Sequence, residues 1–443
     1  MDEFFRKLKR PFNASWDAVE SDMAVFERIL FRLPVKSILI FKSVSKIWKS
    51  IISTMHFMLL HYFWSKKNAK FFAFHNPNDL ENNKFCEMHL VESNGAYSES
   101  YTIPVFKTLE DIHLVASFNG LICFINDVTR YEKTYNVDIH ICNPATHEVL
   151  VLPPSHSSFD VPTFGVLYSN KTHIYKIFKF FSDPDDPETG YCEVYSSKTE
   201  KWKLFVDVPS RTLMGPTRSW ISNASHICIH EKVYWFISDE HDDEIYFPTS
   251  ILMVDMEDNF REIKLPTCPD IAFLVEFWGR LCFVEWEGVN FNLWLYVEEN
   301  GGWNLFNTVR FPVKWLDVAR FDSVVAQKDE ILFVYRDVVG LRHELLYNVC
   351  LATWKDFHIV DDAKDKEIIV FPFFETLLPC PLRSFQMLAP KHDHKHVALE
   401  SGLDGFLRFH VYFDRKMHVL LVVVWRQTGR NDDGFLELYV NSL

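Results

Sequence analysis

The chain has 443 residues, enough for two or three average domains or for a small module followed by one large β-rich unit. Its formal net charge is −14, which disfavours a nucleic-acid partner because an acidic body repels phosphate backbones. The 41 Phe and 13 Trp are unusually many for a soluble protein, and aromatic side chains favour β-strands over helices.

The nine cysteines indicate a reducing compartment rather than a disulfide framework. Their number is odd, and no two lie at the C-x2-4-C spacing of a zinc module. We therefore expect reduced, mostly buried thiols and a cytoplasmic or nuclear protein. The N-terminal MDEFFRKLKRPF lacks the apolar core of a signal peptide. The run VLLVVVW at 419–425 is far shorter than the roughly 20 residues of a membrane-spanning helix, so it predicts a buried strand and no membrane partner.

Charge is distributed unevenly along the chain. The first 67 residues hold 12 Lys and Arg against 6 Asp and Glu, a net charge of about +6. The remainder holds 34 Lys and Arg against 54 Asp and Glu, a net charge of about −20. The two parts are therefore expected to have different partners.

Apolar residues recur at helical spacing from Met23 to Ile52 and predict three short helices. Pro34 cannot lie deep in a helix, so we expect it to end the first helix and to leave Val35 extended, with Lys36 opening the second helix. The serines of Ser43 to Ser45 are expected to separate the second helix from the third. A module of about 45 residues has too little interior to bury all these apolar side chains, so the rest of the chain or a partner must cover some of them.

The same stretch carries a specific motif. It reads RLPVKS at 32–37 and VSKIWKSII at 44–52, followed by Phe57 and His61 at F-x-x-x-H spacing. These residues resemble the plant version of the F-box. The resemblance implies that residues 21–65 form a helical domain that docks on the small acidic Skp-type adaptor of a cullin-RING ubiquitin ligase, and the local positive charge fits such a partner. The implied contact residues are Ile29, Leu30, Leu33, Pro34, Val35, Ile38, Leu39, Val44 and Trp48. Trp48 could equally belong to the module's own core.

One departure from the F-box pattern lies at its start. F-boxes usually open with a leucine-proline pair, where this chain has Ser21 and Asp22. Because that pair contributes apolar contact to the adaptor, its absence weakens the expected docking, although either residue can cap a helix. An alternative therefore stays open, in which a degenerate F-box accompanies a protein-binding module that acts outside a ligase.

From Lys70 onward, strands of period 2 separated by turn residues replace the helical pattern. Four similar units contain NGLICF (119–124), EKVYWF (231–236), WGRLCF (278–283) and KDEILFV (328–334), each followed by two further strands. Two less regular units begin near Phe71 and near Ile174. A spacing of roughly 50 to 60 residues is the kelch-like period of a β-propeller with four-stranded blades, so about six blades are expected. Two β-sandwiches are the alternative fold. Asn119 and Gly120 predict a two-residue type I′ hairpin turn.

Several segments of this β-rich region match one pattern. They are SFNGLICF, ICNPATHEVLVLPP, FGVLYS, YKIFKF, EVYSSKTEKWK, ILMVDMEDNFREIKLP and the closing segment FFETLLP. Together they resemble the F-box-associated domain of the same plant family, which is regarded as the substrate-recruiting part of such proteins. The predicted domains are then a tail at 1–20, the F-box at 21–65, the propeller-like domain at 66–379 and an extension at 380–443 that either completes the last blade or packs elsewhere.

Three clusters have some metal-binding character. HDHKH at 392–396 would place its histidines on one face of a strand, but its lysines favour a solvated loop. DPDDPE at 183–188 and DEHDDE at 239–244 lack the 12-residue calcium loop, so they predict acidic loop tips. We therefore predict no metal, no cofactor and no catalytic residue. A propeller enzyme is the third interpretation, and Tyr, His and Cys converging at the propeller's centre would favour it.

These observations predict an α+β multidomain chain, with a three-helix F-box followed by a mostly antiparallel β-propeller. The predicted function is a substrate-recruiting adaptor subunit of an SCF-type cullin-RING ubiquitin ligase, bound to cullin and RING subunits through the Skp-type adaptor. The target protein and its contact residues are unknown from the sequence. The acidic propeller suggests a target with a basic surface.

Overall fold

The structure is a computed structural model, and its chain divides into two compact units, Met1–His61 with Gln386–Leu443, and Tyr62–Phe385. It describes residues 29–44, 46–75, 87–91, 97–102, 112–131, 134–159, 162–169, 171–183, 190–205, 226–238, 248–299, 301–313, 317–359, 368–380, 407–414, 419–427 and 434–442. No helix within these ranges is long and apolar enough to span a membrane. Ser21, Asp22 and the HDHKH cluster lie outside them, as do residues 184–188 and 239–244 of the two acidic clusters.

Three helices follow one another near the start of the described chain. They are α1 Val35–Val44, α2 Lys46–Ile52 and α3 Met55–Lys67, and residues 29–30 are also helical. The prediction that Val35 is extended is wrong, because Val35 begins α1 and the Ile38 amide donates to the Pro34 carbonyl over 3.1 Å. The first residues of a helix need no amide partner, so a proline fits at the start of α1.

The helix α3 does not follow from the periodicity of the sequence. Its sequence MHFMLLHYFWSKK is apolar on most sides, so no single apolar stripe marks it as a helix. At its start, the Thr54 hydroxyl accepts a hydrogen bond from the Phe57 amide at 3.2 Å. This contact satisfies one of the amides that a helix start leaves without a partner.

The described part of the chain also contains twenty-seven strands. In chain order they are β1 Lys70–His75, β2 Glu87–Val91, β3 Tyr97–Thr102, β4 Ile112–Phe118, β5 Leu121–Tyr131, β6 Thr134–Asn143, β7 Glu148–Val151, β8 Thr163–Tyr168, β9 Tyr175–Ser182, β10 Gly190–Ser196, β11 Lys201–Phe205, β12 His226–Ile229, β13 Lys232–Ser238, β14 Pro248–Asp255, β15 Phe260–Lys264, β16 Ala272–Phe277, β17 Arg280–Glu287, β18 Asn290–Val297, β19 Gly302–Arg310, β20 Val318–Gln327, β21 Glu330–Asp337, β22 Arg342–Asn348, β23 Thr353–Asp356, β24 Ile368–Phe373, β25 Leu407–Asp414, β26 Val419–Gln427 and β27 Gly434–Ser442.

The strands β1 to β24 form six four-stranded antiparallel sheets, each of which is one blade of a propeller. The inner strands contact one another in the cyclic order β24, β4, β8, β12, β16, β20 and back to β24. This ring confirms the predicted fold and rules out the two β-sandwiches. The four similar units of the sequence correspond to the second strands β5, β13, β17 and β21.

The ring is closed by pairing distant parts of the chain. Strand β24 pairs antiparallel with β1, with Phe72 opposite Phe371, so the first blade takes its inner strand from the far end of the propeller sequence. Strands β25, β26 and β27 form a separate three-stranded sheet. The first blade is therefore completed by Ile368–Phe373. The predicted domain boundaries remain predictions.

Aromatic side chains fill the spaces between neighbouring blades. Between the fifth and sixth blades, Phe291 contacts Phe333 with ring centroids 4.6 Å apart, and Phe311 contacts Trp354 at 5.4 Å. Buried apolar clusters of the same kind lie between other neighbouring blades. The high phenylalanine content thus reflects blade packing, since aromatic rings bury much apolar area per residue.

Residues after β24 fasten the closed ring to the second blade. Asn143 is fully buried, and its Nδ2 donates to the carbonyls of Thr376 at 3.0 Å and Leu378 at 2.9 Å. At Gly120, whose φ is +76°, a Cβ would lie 2.6 Å from the Phe374 carbonyl oxygen. The motifs SFNGLICF, ICNPAT and FFETLLP therefore meet at one place. The positive φ of both Asn119 and Gly120 agrees with the predicted type I′ turn.

Candidate interaction surfaces

The nine predicted contact residues of the helical module fall into two groups. Leu30, Val35 and Ile38 are fully buried in the structure. The other six are partly exposed, namely Ile29, Leu33, Pro34, Leu39, Val44 and Trp48. The first group contributes to the module's core, and the second group leaves apolar surface accessible to a partner.

The side chains of Trp48 and Ile40 also contribute to this apolar surface. The Trp48 ring packs on Phe41, with centroids 4.9 Å apart, so Trp48 is attached to the core while remaining partly exposed. Ile40 on α1 is 46% exposed and was not among the predicted contacts, although it follows Leu39 directly. The sequence contained one signal for Ile40, because it is an apolar residue on the solvent side of a short helix.

Basic side chains accompany the apolar surface. Arg32, Lys36, Lys46 and Lys49 are exposed, on or just before α1 and α2. The described part of the module therefore presents a positive surface, as its net charge suggests. Complementary charge accelerates association with an acidic partner.

His61 near the end of the module is buried and neutral. Its Nε2 lies 3.2 Å from the Leu33 carbonyl oxygen, which joins α3 to the RLPVKS motif. Burial lowers the pKa of His61 from 6.5 to about 4, against the opposing effect of that carbonyl. An imidazole that must lose its proton to be buried makes folding depend on pH.

Acidification is therefore expected to destabilise the helical module. Between pH 6.5 and 4 the unfolded chain binds a proton at His61 that the folded chain does not, so the contribution is complete above pH 6.5 and falls as the pH decreases. The loss should reach about 3 kcal/mol near pH 4. Urea unfolding at pH 7 and at pH 5 measures this loss of unfolding free energy, in wild type and in the His61→Gln variant. Wild type should lose more stability than the variant, and equal losses would contradict the assignment.

The centre of the propeller is a channel of about 590 Å³. Its lining includes Tyr168, His226, Cys228, His230 and Glu276, so Tyr, His and Cys do converge there. Burial raises the pKa of Cys228 to about 11 and lowers that of His226 to about 4. A thiol kept protonated is not an activated nucleophile. Among the described residues, no group of three His, Cys, Asp or Glu could hold a metal ion.

Two acidic residues line this channel, Glu231 and Glu276, and the pKa of Glu276 is perturbed. Glu276 is accessible to the channel water but surrounded by protein, and the resulting desolvation raises the pKa of its carboxyl. Lys66 and His230 act in the opposite direction because positive charge stabilises the carboxylate. The channel lining therefore combines charged and neutral polar groups.

The two faces of the propeller differ in what they carry. We call the lower face the end with the turns Asn119–Gly120, His230–Glu231, Trp278–Gly279 and Lys328–Asp329, which join first and second strands. The upper face is the opposite end, where second strands lead into third strands, as at Gly288–Val289 and at 338–341. On the lower face, the Tyr62 hydroxyl donates to Asn119 Oδ1, and the Tyr62 ring contacts Phe374 with centroids 5.3 Å apart. Tyr62, the first residue of the second compact unit, therefore packs on the lower face.

Two family models match this chain in the predicted order. The F-box domain matches residues 24–60, and the F-box associated beta propeller domain matches residues 79–273. The first match includes all nine predicted contact residues. The second includes the NGLICF and ICNPAT motifs of the second blade.

Similar proteins carry corresponding names. Putative F-box only protein 15 of Arabidopsis thaliana is 28% identical over 261 residues, covering 58% of this chain and 61% of the relative. An F-box/kelch-repeat protein of the same plant is 24% identical over 294 residues, covering 64% of this chain and 71% of that protein. Among solved structures, the β-propeller domain of the Trilobed protease from Pyrococcus furiosus has a TM-score of 0.36 and 11% identity, covering 68% of this chain and 81% of that chain. At that TM-score the likeness decides nothing about this chain.

Proposed function

The chain is a plant F-box protein with an F-box-associated β-propeller domain, and on that basis we propose that it is the substrate-recruiting adaptor subunit of an SCF-type cullin-RING ubiquitin ligase. The helical module would bind a Skp-type adaptor, and through it the cullin and RING subunits. The propeller would bind the protein target. Such a subunit supplies proximity, holding target lysines near the ubiquitin-charged enzyme.

One observation carries the adaptor half of the proposal. Six of the nine F-box contact positions remain partly exposed in a module whose core is already formed by Leu30, Val35 and Ile38. Apolar groups left accessible beside basic side chains suit a partner that is apolar at its centre and acidic around it. Ile40 belongs to the same proposed surface.

Titration of the purified full-length protein with a plant Skp-type adaptor tests this half. We expect submicromolar binding by wild type and a loss of roughly 100-fold or more in Leu33→Asp, because a charge would be buried against an apolar adaptor surface. Leu351→Asp makes the same chemical change at an exposed propeller leucine and should bind like wild type. Unchanged binding in Leu33→Asp would contradict the proposed contact surface.

A second candidate function rests on Ser21 and Asp22, which replace the leading leucine-proline pair. In that alternative the F-box is degenerate, and the propeller binds proteins outside a ligase. A well-folded wild-type protein that fails to bind the adaptor would favour it. Ser21→Leu with Asp22→Pro should strengthen adaptor binding if docking follows the family mode, and should leave it unchanged otherwise.

Catalysis is assigned to other subunits of the ligase. F-box proteins with propeller domains are typically adaptors rather than enzymes, and the protonated Cys228 thiol in the channel fits that role. We further propose a cytoplasmic or nuclear location, and a target with a basic surface. Target binding that does not weaken with added salt would contradict the last point.

A further inference from the structure

The hairpin between β21 and β22 displays apolar side chains to solvent. Val338 is 64% exposed, Val339 is 79% exposed and Leu341 is 46% exposed. The three residues surround Gly340 in a four-residue loop on the upper face. Folding gains nothing from this arrangement, since apolar surface left in water contributes no burial free energy.

The hairpin is held in one shape by its polar groups. Asp337 Oδ1 accepts hydrogen bonds from the amides of Val339 at 2.9 Å and Leu341 at 2.8 Å. Arg336 Nη1 donates to the Gly340 carbonyl at 3.1 Å, and Gly340 has a φ of +92° that suits glycine. The His343 imidazole donates to Asp337 Oδ2 at 3.0 Å and, with the two amides, holds the pKa of Asp337 below its usual value. The polar groups thus bond within the hairpin, and its apolar side chains form the outer surface.

Two more exposed apolar residues lie at the same end of the neighbouring blade. They are Ile271, 42% exposed, and Val289, 44% exposed. The Ile271 carbonyl accepts a hydrogen bond from the Trp286 amide at 3.0 Å, and the Val289 carbonyl accepts one from the Phe311 amide at 2.9 Å. We define the upper apolar patch as Ile271, Val289, Val338, Val339 and Leu341.

A packed aromatic layer supports the patch from below. Trp286 contacts Phe311 with ring centroids 5.3 Å apart, and Phe321 at 4.8 Å. Phe311 also contacts Tyr335 of the sixth blade at 5.5 Å. This layer joins the two blades beneath the loops, so the patch has a rigid base and needs little ordering when it binds.

The charged groups around the patch are acidic on balance. Asp270, Glu287 and Asp317 are exposed beside Ile271, Val289 and Val338, and the Val338 amide donates to the Asp317 carbonyl at 3.2 Å. Among the described residues, the exposed arginines at this end of the two blades are Arg310 and Arg320. Arg320 Nε lies 3.0 Å from Asp322 Oδ1, and Arg336 Nε lies 2.8 Å from the other oxygen of the same carboxylate. A positively charged partner is therefore favoured over a negatively charged one.

We infer that the upper apolar patch is the surface that takes the target, and that the target presents a segment of apolar side chains flanked by Lys or Arg. This inference rests on the proposed adaptor function. The apolar side chains of the segment would cover Val338, Val339 and Leu341, and its basic residues would face Asp270, Glu287 and Asp317. A rigid, largely prebuilt surface suits a binding site, because less conformational entropy is lost on association.

Synthetic fluorescein-labelled peptides test this inference on the full-length protein. Three matched sets share a Leu, Ile and Val core and differ only in flanks of Lys and Arg, of Ser, or of Asp and Glu. Fluorescence anisotropy should show the tightest binding for the basic flanks, weakened by added salt. Val338→Asp with Val339→Asp should reduce that binding at least tenfold, and Val338→Ser with Val339→Ser should reduce it less. Leu351→Asp, at the opposite end of the same blade, should bind like wild type.

Several outcomes would overturn the inference. The first is that peptides with acidic flanks bind as tightly as those with basic flanks, or more tightly. The second is that Leu351→Asp loses as much peptide binding as the double aspartate variant, or that the double aspartate variant loses none. The third is that no peptide set binds to the wild-type protein. Light scattering tests whether a second copy of this chain covers the upper apolar patch instead. A wild-type dimer that the double aspartate variant no longer forms would also overturn the inference. Titration of the same preparation with the Skp-type adaptor separates the two proposals. Adaptor binding without peptide binding would contradict only the proposed target site at the upper apolar patch. Peptide binding without adaptor binding would contradict only the proposed ligase role.

Discussion

Replacing Asn143 by aspartate is expected to lower the propeller's free energy of unfolding by about 3 to 5 kcal/mol. The Asn143 amide is fully buried and donates to two carbonyls, those of Thr376 and Leu378. A carboxylate has no hydrogen to donate, so both carbonyls would lose their partner and would face a buried negative charge. Asn143 Oδ1 also accepts from the amides of Ala145 at 3.0 Å and Thr146 at 3.3 Å, and these two contacts survive the change.

Urea unfolding at pH 7 measures the effect, with Asn304→Asp as a matched control at an exposed asparagine. The control should stay within about 0.5 kcal/mol of wild type. Part of the loss in Asn143→Asp should be recovered at lower pH, because protonation removes the charge and restores a donor. If Asn143→Asp unfolded at the same midpoint urea concentration as wild type, the Asn143 amide would not be what holds the segment that contains Thr376 and Leu378.

Replacing Gly165 by alanine is expected to cost about 3 to 5 kcal/mol by overpacking the boundary between the third and fourth blades. A Cβ on Gly165 would lie 2.6 Å from Trp235 Cε2 and still closer to Cζ2. Trp235 is fully buried, and its Nε1 donates to the Phe164 carbonyl at 3.0 Å. The indole could retreat only by breaking this bond and disturbing its contacts with Phe178 and Phe180.

A double-mutant cycle isolates the cause of this loss. Phenylalanine at position 235 removes the atoms that meet the new methyl group, so Gly165→Ala with Trp235→Phe should be less destabilised than the sum of the two single variants. Gly190→Ala is the matched control, because a Cβ there has no neighbour within 4 Å. Additive single effects would show that the clash with Trp235 is not the reason for the glycine.

Local patterns in the sequence were sufficient for much of the fold. The period-2 strands, the Asn119–Gly120 turn and the repeat length depend on residues close together in the chain, so the six blades could be predicted. The inner strands and the closure by Ile368–Phe373 could not, because that pairing joins segments from opposite ends of the propeller. The roles of Asn143 and Gly120 in the closure were equally invisible, since their partners lie far along the chain.

The interaction surfaces divide in the same way. Helical periodicity and the RLPVKS motif located the adaptor-binding module and nine candidate contacts from the sequence. Only the tertiary structure separated the buried Leu30, Val35 and Ile38 from the accessible remainder, and only it placed Val338 and Val339 outward at the same end of the propeller as Val289. Hydrophobicity is a property of the residue and can be read along the chain, whereas burial depends on which distant segments pack against that residue.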